Sequence, residues 1–319
     1  MSVSQEILDR ARGVVVVGAV GDALGAGYEC SVAPLSDEVT MLPGTLTGEP
    51  AGYWTDDTAM AIAVLEVAAR EGTLDDPKSV AAVGDRFLDW YRSSPLDIGN
   101  HTRIVMSKAK TGGDLSEAAH DASILYPQSA SNGSLMRTGP VALAHLGDDA
   151  AIGRAASAVS RLTHAHNLCV SACVLWSVAI DRAVRLGSLE GPRAGLYLLD
   201  VGKSWYWEQR ITEAENNSPL SFNPNGGVVA ALQAAWSAIY ITQFEDNPLE
   251  AGLRQAVAVG DDTDTVAAIA GYLLGGYYGF GALRVAWVEG LAGWPGEYRA
   301  EDLCSLVDQA VTRSSFGAL

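Results

Sequence analysis

The sequence predicts an all-α chain, and three observations carry that prediction. Apolar residues recur at helical spacing through long stretches of the 319 residues. Alternation of period two, the mark of half-buried strands, is scarce everywhere. No internal repeat or low-complexity segment interrupts the pattern. Length alone suggests about two domains. No compositional break supports a split, because Ala and Gly are abundant throughout, so one domain spanning 1–319 is expected. A chain of this size can bury a large single core.

Taken in order, Ser4 is suited to cap a first helix in which Ile7, Ala11, Val14 and Val15 keep helical spacing. Val14–Val17 followed by glycines also resembles a strand entering a dinucleotide-binding turn. Gly18, Gly21 and Gly25 do not spell G-x-G-x-x-G, however, and no strand–helix alternation follows. Small residues that let helices pack closely are the better account. Gly27–Gly52, rich in Gly, Pro, Ser and Thr, reads as a loop. The apolar run from Ala59 to Ala69 reads as a buried helix. Pro77–Tyr91 is helical, with Phe87, Leu88, Trp90 and Tyr91 on or near one face, and Ser93–Thr102 breaks it. Leu115–Leu125 is helical, Tyr126–Ser134 is a polar loop, and Met136–Leu146 starts the next helix. Ala150–Thr163 and Leu168–Leu186 are long helical patterns. Gly187–Gly227, which holds Trp205, Trp207 and the run Glu213–Pro219, is the least regular part, either a surface excursion near a site or a long connection. Val228–Thr242 and Pro248–Val259 are helical again, and two short helices follow Ala282.

The chemistry concentrates in two stretches. Val259-Gly260-Asp261-Asp262-Thr263-Asp264-Thr265 packs three carboxylates into four residues, directly before the almost wholly apolar run Val266–Gly279. Tyr53-Trp54-Thr55-Asp56-Asp57-Thr58 has the same character before its own apolar helix. Acidic residues at a helix start suit the macrodipole, and capping alone explains one Asp. Several together repel: two carboxylates about 4 Å apart cost about 4 kcal/mol at an effective dielectric near 20. Hard divalent cations bound by carboxylate and hydroxyl oxygens are the common compensation. Two such helix starts can face each other across one site.

The net charge of −17 argues against nucleic acid and against an anionic membrane surface as partners. Cys30, Cys169, Cys173 and Cys304 form no Cys-x-x-Cys pair, so buried free thiols in a reducing cytoplasm are expected. Met1–Glu6 has no signal-peptide pattern, and the longest apolar runs are broken by Asp, Arg or Gly, so no membrane span is expected.

Five motifs, in order, resemble those of the ADP-ribosylglycohydrolases, the group of the dinitrogenase-reductase-activating glycohydrolase. They are Gly18-Ala19-Val20-Gly21-Asp22-Ala23-Leu24-Gly25 with Glu29; Thr55-Asp56-Asp57-Thr58; Asn132-Gly133-Ser134-Leu135-Met136-Arg137; Thr163-His164; and Asp262-Thr263-Asp264-Thr265. The resemblance implies a compact single-domain orthogonal helical bundle and a metal-dependent hydrolase. Its substrate would be an ADP-ribosylated protein, ADP-ribosyl-arginine foremost. Serine-linked ADP-ribose, a free ADP-ribose derivative, or non-catalytic ADP-ribose binding are the alternatives.

The resemblance implies two divalent ions, Mg²⁺ or Mn²⁺, on Thr55, Asp56, Asp57, Asp262, Asp264 and Thr265, with Glu29, Asp56, Asp97 and Asp264 as catalytic groups. Glu29, read by itself, is a solvated loop carboxylate. The loop Ser129–Ser134 offers successive N–H groups and hydroxyls, which suits either an ordinary capped turn or a pyrophosphate. The resemblance selects the second, with Ser129, Asn132, Gly133 and Ser134 on the substrate, His164 lining the pocket and Gly226 near the distal ribose. Ser131 stands where the family usually has Gly, and Asp261 where Gly is frequent. Asp97, in Pro95-Leu96-Asp97-Ile98-Gly99, is by itself a turn residue. In the arginine-specific branch a similar stretch meets the guanidinium, for which a carboxylate is the natural bidentate partner. His164 and His166, two apart, do not share a helix face and make an unlikely zinc pair.

Overall fold

Ser4 caps the first helix, its hydroxyl accepting the Ile7 N–H at 3.2 Å. That helix, α1 (Gln5–Gly25), is followed by α2 (Asp56–Glu71), α3 (Pro77–Arg92), α4 (Asn100–Met106) and α5 (Leu115–Leu125). Then come α6 (Asp149–Arg161), α7 (Asn167–Leu186), α8 (Val201–Asn216) and α9 (Val228–Thr242). The chain closes with α10 (Pro248–Val257), α11 (Thr263–Tyr278), α12 (Val285–Glu289) and α13 (Ala300–Arg313). The only strands among the described residues are β1 (Ala292–Gly293) and β2 (Tyr298–Arg299), an antiparallel pair. This computed structural model describes residues 3–296 and 298–314. Met1, Ser2, Glu297 and 315–319, at which the expected leader-free start and 1–319 span in part fall, lie outside the described residues.

The all-α architecture is organised by α1 and α11, which lie antiparallel at the centre of one apolar cluster. Their seam is made of small residues. A Cβ added to Gly13 would stand 2.2 Å from the Gly275 carbonyl oxygen, and one on Gly21 2.2 Å from that of Ala267. At the end of the seam, a Cβ on Gly25 would sit 2.3 Å from the Cα of Asp264. Close helix packing is therefore the reason for these glycines. Large side chains close the rest of the core by satisfying their polar atoms. The Trp176 indole donates to the Ile269 carbonyl at 3.0 Å, and the Tyr272 hydroxyl to that of Met136 at 2.7 Å. α7 is long and apolar enough to cross a membrane by composition, but 83% of its apolar window is buried inside the protein.

Four expectations are corrected. Met136–Leu146 is not an α-helix but two 3₁₀ segments, Leu135–Arg137 and Gly139–Ala144. Pro140 lacks an N–H to donate, and a proline disfavours the α region for the residue before it. Gly187–Gly227 is largely ordered helix: a 3₁₀ segment Gly191–Leu198 leads into α8. There Trp207, Ile211 and Ala214 bury one narrow stripe, and the Trp207 indole donates to Ser171 Oγ at 2.7 Å. The break after α3 contains the short helix α4. Beyond Ala282, α13 is a full 14-residue helix and only α12 is short.

Candidate active site

The two acidic helix starts meet. Thr55 is the N-cap residue of α2 and Asp262 that of α11. Neither helix is capped by its own N-cap side chain. For α2 the missing acceptor comes from α1. Asp22, fully buried, takes the Thr55 N–H at 2.9 Å and the Thr58 N–H at 2.9 Å. A carboxylate aimed at a helix N-terminus suits both the open donors and the dipole. Asp22 thus fastens the first motif to the helix that packs on the second. Thr263 Oγ1 donates to the Gly25 carbonyl at 2.8 Å, which fastens the second motif to the same end of α1.

Around this seam the carboxylates converge. Ligand-capable oxygens of Glu29, Asp262 and Asp264 all lie within 4.8 Å of one another. Asp57 Oδ2 accepts from Thr55 Oγ1 at 3.2 Å and from Thr265 Oγ1 at 3.3 Å, so it joins the two helix starts. Its other oxygen, Oδ1, is buried with no hydrogen-bond partner among the described residues. Among the described residues no ion pair includes Asp22, Glu29, Asp56, Asp57, Asp97, Asp262 or Asp264. The cost shows in their acidities. Burial, then the charges of Asp97, Asp262 and Asp56, push Glu29 up to about 8. Burial and the charges of Asp97 and Asp22 push Asp56 up to about 8. Asp57 and Asp264 are driven well above the usual carboxylate range by burial and by their acidic neighbours. Burial raises Asp22 to about 6, held back by the hydrogen bonds from Thr58 and Thr55. Crowded carboxylates, two threonine hydroxyls and an orphaned buried oxygen form an all-oxygen donor set that fits hard divalent cations.

A cavity of about 340 Å³ opens over this cluster, and among the described residues those that line it from α4, from the loop after α5 and from the turn after α6 include no carboxylate. Ser129, Ser131, Asn132 and Gly133 line it from the loop after α5; His101 and Thr102 from the first turn of α4; and His164 from the turn after α6. The His101 and His164 rings lie 4.7 Å apart. Gly133 must be small, because a Cβ there would stand 2.9 Å from His164 Cε1. Asn132 ties the walls together, donating from Nδ2 to Asp262 Oδ2 at 2.7 Å. Thr55 and Asp57 sit behind the cavity rather than on it. Ser134 also lies off the cavity: it is buried, accepting from Ser160 Oγ at 3.0 Å and lying 3.5 Å from Cys173 Sγ. Gly226 faces outward, and its carbonyl accepts the Asn132 N–H at 3.1 Å. His166 is an N-cap, accepting the Leu168 N–H.

Residues for which the sequence suggested no role prove central. Asp22, His101 and Ser131 hold or line the site. Buried Asn225 accepts the Asp262 N–H on Oδ1 at 3.0 Å and donates to the Gly260 carbonyl. Asp261 adopts φ 63°, where glycine is at ease, and its carboxylate accepts the Asn225 N–H at 3.0 Å. Asp97 lines the cavity and also an adjoining groove of about 290 Å³. Trp54, Trp90, Trp294 and Glu49 form part of that groove, and Asp56 is the other residue shared by both spaces and bearing a carboxylate.

Comparison with known proteins identifies the family. The ADP-ribosylglycohydrolase family model matches residues 3–316. An ADP-ribosyl-[dinitrogen reductase] glycohydrolase of Rhodospirillum rubrum is 30% identical over 294 residues, 89% of this chain and 90% of that protein. An ADP-ribosylarginine hydrolase of Pseudomonas putida is 28% identical over 299 residues, covering 90% and 76%. An ADP-ribosylhydrolase of Homo sapiens is 25% identical over 334 residues, covering 90% of each. A solved structure described as an ADP-ribosylglycohydrolase-related protein complex superposes with a TM-score of 0.72 at 29% identity, covering 98% of this chain and all of that one. With five motifs gathered on one cavity and a family match over nearly its whole length, the chain belongs to the ADP-ribosylglycohydrolases, hydrolases that act on a glycosidic bond.

Proposed function

We propose that this enzyme removes ADP-ribose from arginine side chains of modified proteins, with two divalent cations, Mg²⁺ or Mn²⁺, held by the acidic cluster. The observation that carries the reading is the place of Asp97. It stands beside the carboxylate cluster and also lines the aromatic groove next to it. Glu29, Asp262 and Asp264 are near enough to share one cation, and Thr55, Asp56, Asp57 and Thr265 complete the donor set. When bound, such cations supply positive charge that polarises the ribose hydroxyls and a neighbouring water.

The chain's own residues do the rest. The diphosphate lies along Ser129, Asn132 and Gly133, and His164 backs it. The ribose lies over the carboxylates. Breaking the bond from C1″ to the guanidine nitrogen develops oxocarbenium-like positive charge on the ribose, which Asp56 and Asp264 are placed to stabilise. Glu29 takes the proton from the water that adds to C1″ and passes it to the departing guanidine, so the carboxylate is regenerated. Asp97 accepts the guanidinium fork in the mouth of the groove, where a bidentate pair fixes orientation as well as charge. All four cysteines are free, and although only Cys169 and Cys173 are buried as expected while Cys30 is exposed and Cys304 half-buried, four free thiols support a cytoplasmic setting.

The test is release of ADP-ribose from arginine-modified and from serine-modified protein, each in EDTA and after Mg²⁺ or Mn²⁺ is restored. Metal-dependent release from arginine is expected. Equal rates after thorough chelation would remove the cations from the reading, and preference for the serine linkage would remove Asp97 as its selector.

A further inference from the structure

One cation lies close behind the cavity, and among the described residues it has no carboxylate partner. Arg137 is fully buried on the 3₁₀ turn after the Asn132–Ser134 loop, stacked 4.5 Å above the Phe87 ring. Its Nη1 donates to the Gly133 carbonyl at 3.1 Å, and its Nη2 donates to Thr163 Oγ1 at 2.7 Å. From there a chain of hydrogen bonds runs out to the cavity. Thr163 Oγ1 lies 2.7 Å from His164 Nδ1, and His164 Nε2 lies 2.9 Å from Ser131 Oγ. Ser131 lines the cavity.

The direction of this chain follows from counting protons. A guanidinium only donates, so Thr163 Oγ1 accepts from Arg137. The Thr163 hydroxyl must then place its own proton. Thr163 is fully buried, and among the described residues the only other hydrogen-bond partner of its hydroxyl is His164 Nδ1. If Nδ1 carried a proton, the hydroxyl would accept twice and its proton would be stranded, the costly arrangement for a buried polar group. So Nδ1 accepts, Nε2 carries the hydrogen, and Ser131 Oγ receives it. The Ser131 proton has no other acceptor among the described residues and turns to the cavity. The neighbouring pair runs the other way. His101 Nε2 must donate to the Thr163 carbonyl at 3.0 Å, which leaves Nδ1 to accept from Ser129 Oγ at 3.2 Å. Burial and the Arg137 charge hold both imidazoles below their ordinary range, so both rings are neutral near pH 7.

We propose that Arg137 and Thr163 are positioning residues that lock His164 as its Nε2–H tautomer, so that Ser131 presents a hydroxyl proton to an anionic oxygen of the ligand. Ser129, its proton drawn inward to His101, presents lone pairs instead. The two serines therefore differ in kind: one suits a diphosphate oxygen, the other a ligand hydroxyl. Identifying the anion as a diphosphate rests on the function proposed above.

Two measurements on the full chain test this. Long-range ¹H–¹⁵N spectra of the ligand-free protein read the His164 tautomer directly. Nε2–H with bare Nδ1 is expected; Nδ1–H or a cationic ring overturns the relay. Calorimetric binding of ADP-ribose with Mg²⁺ present is then compared across variants. Ser131→Ala should weaken ADP-ribose about ten- to a hundredfold, the worth of a charge-assisted hydrogen bond, while binding of adenosine, which lacks the phosphates, is unchanged. Thr163→Val should produce a mixed tautomer and a similar loss, and Thr163→Ser should restore both. Wild-type affinity in Ser131→Ala, or an unmixed tautomer in Thr163→Val, overturns the proposal. If the wild-type chain binds no ADP-ribose, the proposed function falls and the spectra alone decide the relay.

Discussion

The two walls of the cavity are built from opposite shortages. One wall gathers Glu29, Asp56, Asp262 and Asp264, with Asp57 behind them, and among the described residues no cation is paired to any of them. The other is backed by Arg137, a buried cation with no carboxylate paired to it among the described residues. Within a stable fold each shortage would be a defect, since a buried charge needs compensation. Facing each other across one space, they describe a ligand. On the function proposed above, it would carry negative charge where it meets the serines and share cations with the enzyme where it meets the aspartates.

The largest effect should come from deleting the acid wall at its centre. Asp264→Ala is expected to lose essentially all turnover, well beyond the ~10–100-fold that outer-shell partners of a metal cost. Helicity should survive, because removing one carboxylate relieves repulsion. Circular dichroism alongside the rate assay separates the two, and near-normal turnover at limiting metal would dissolve the contrast between the walls.

The next effect sharpens the boundary between cavity and groove. Breaking one side of a partly dry charged pair costs about 2–5 kcal/mol, which is roughly thirty- to several-thousandfold. Asp97→Asn should therefore lower kcat/KM by that factor for arginine-linked ADP-ribose and far less for serine-linked substrate. Because the Asp97 charge also raises Glu29 and Asp56, equal loss on both substrates would reassign it to the acid wall.

A smaller effect concerns pH. Glu29 and Asp56 sit at about 8 and Asp22 at about 6, all above their ordinary values. The folded chain therefore holds protons that the unfolded chain has released. Their contribution to stability is complete at pH below the ordinary carboxylate range and is lost as pH rises through about 6 and then about 8. In EDTA the melting midpoint should fall between about pH 5 and about pH 9, and Mg²⁺ should flatten the fall. A midpoint that rises over that range in EDTA would mean the wall has a cation of its own.

The smallest effect belongs to Asp261. Its left-handed backbone costs an L-residue about 1–2 kcal/mol, while its hydrogen bond to the Asn225 N–H returns about 0.5–1.5 kcal/mol. Asp261→Gly should shift the denaturant midpoint by less than about 1 kcal/mol of stability and leave turnover alone. A large loss of activity would place its carboxylate on the acid wall.

How much of this was legible differs between the walls for a physical reason. The acid wall announces itself, because charged residues ahead of apolar helices are conspicuous in any reading. α5 and α9 also begin and end where periodicity puts them. The other wall speaks through neutral hydroxyls and imidazoles whose meaning depends on what they touch. Ser131, marked in the sequence only as standing where the family usually has Gly, holds His164. His101 lay in a stretch read as a break, since a seven-residue helix just after Pro95 has too little periodicity to register. α8 was hidden because it buries only Trp207, Ile211 and Ala214 of its 16 residues. Asp22 stood in a recognisable motif, yet nothing in its spacing says that it caps a helix 33 residues away.

The glycine seam between α1 and α11 makes one further point about variation. The Cβ that Gly25 lacks would stand 2.3 Å from the Cα that carries the Asp264 side chain. A single methyl group there would displace the carboxylate by more than a hydrogen bond tolerates, while the rest of each helix could stay seated. In a random library of this chain, then, substitutions at Gly13 or Gly21 in the middle of the seam should cost the fold itself, whereas those at Gly25, at its end, should reach turnover first.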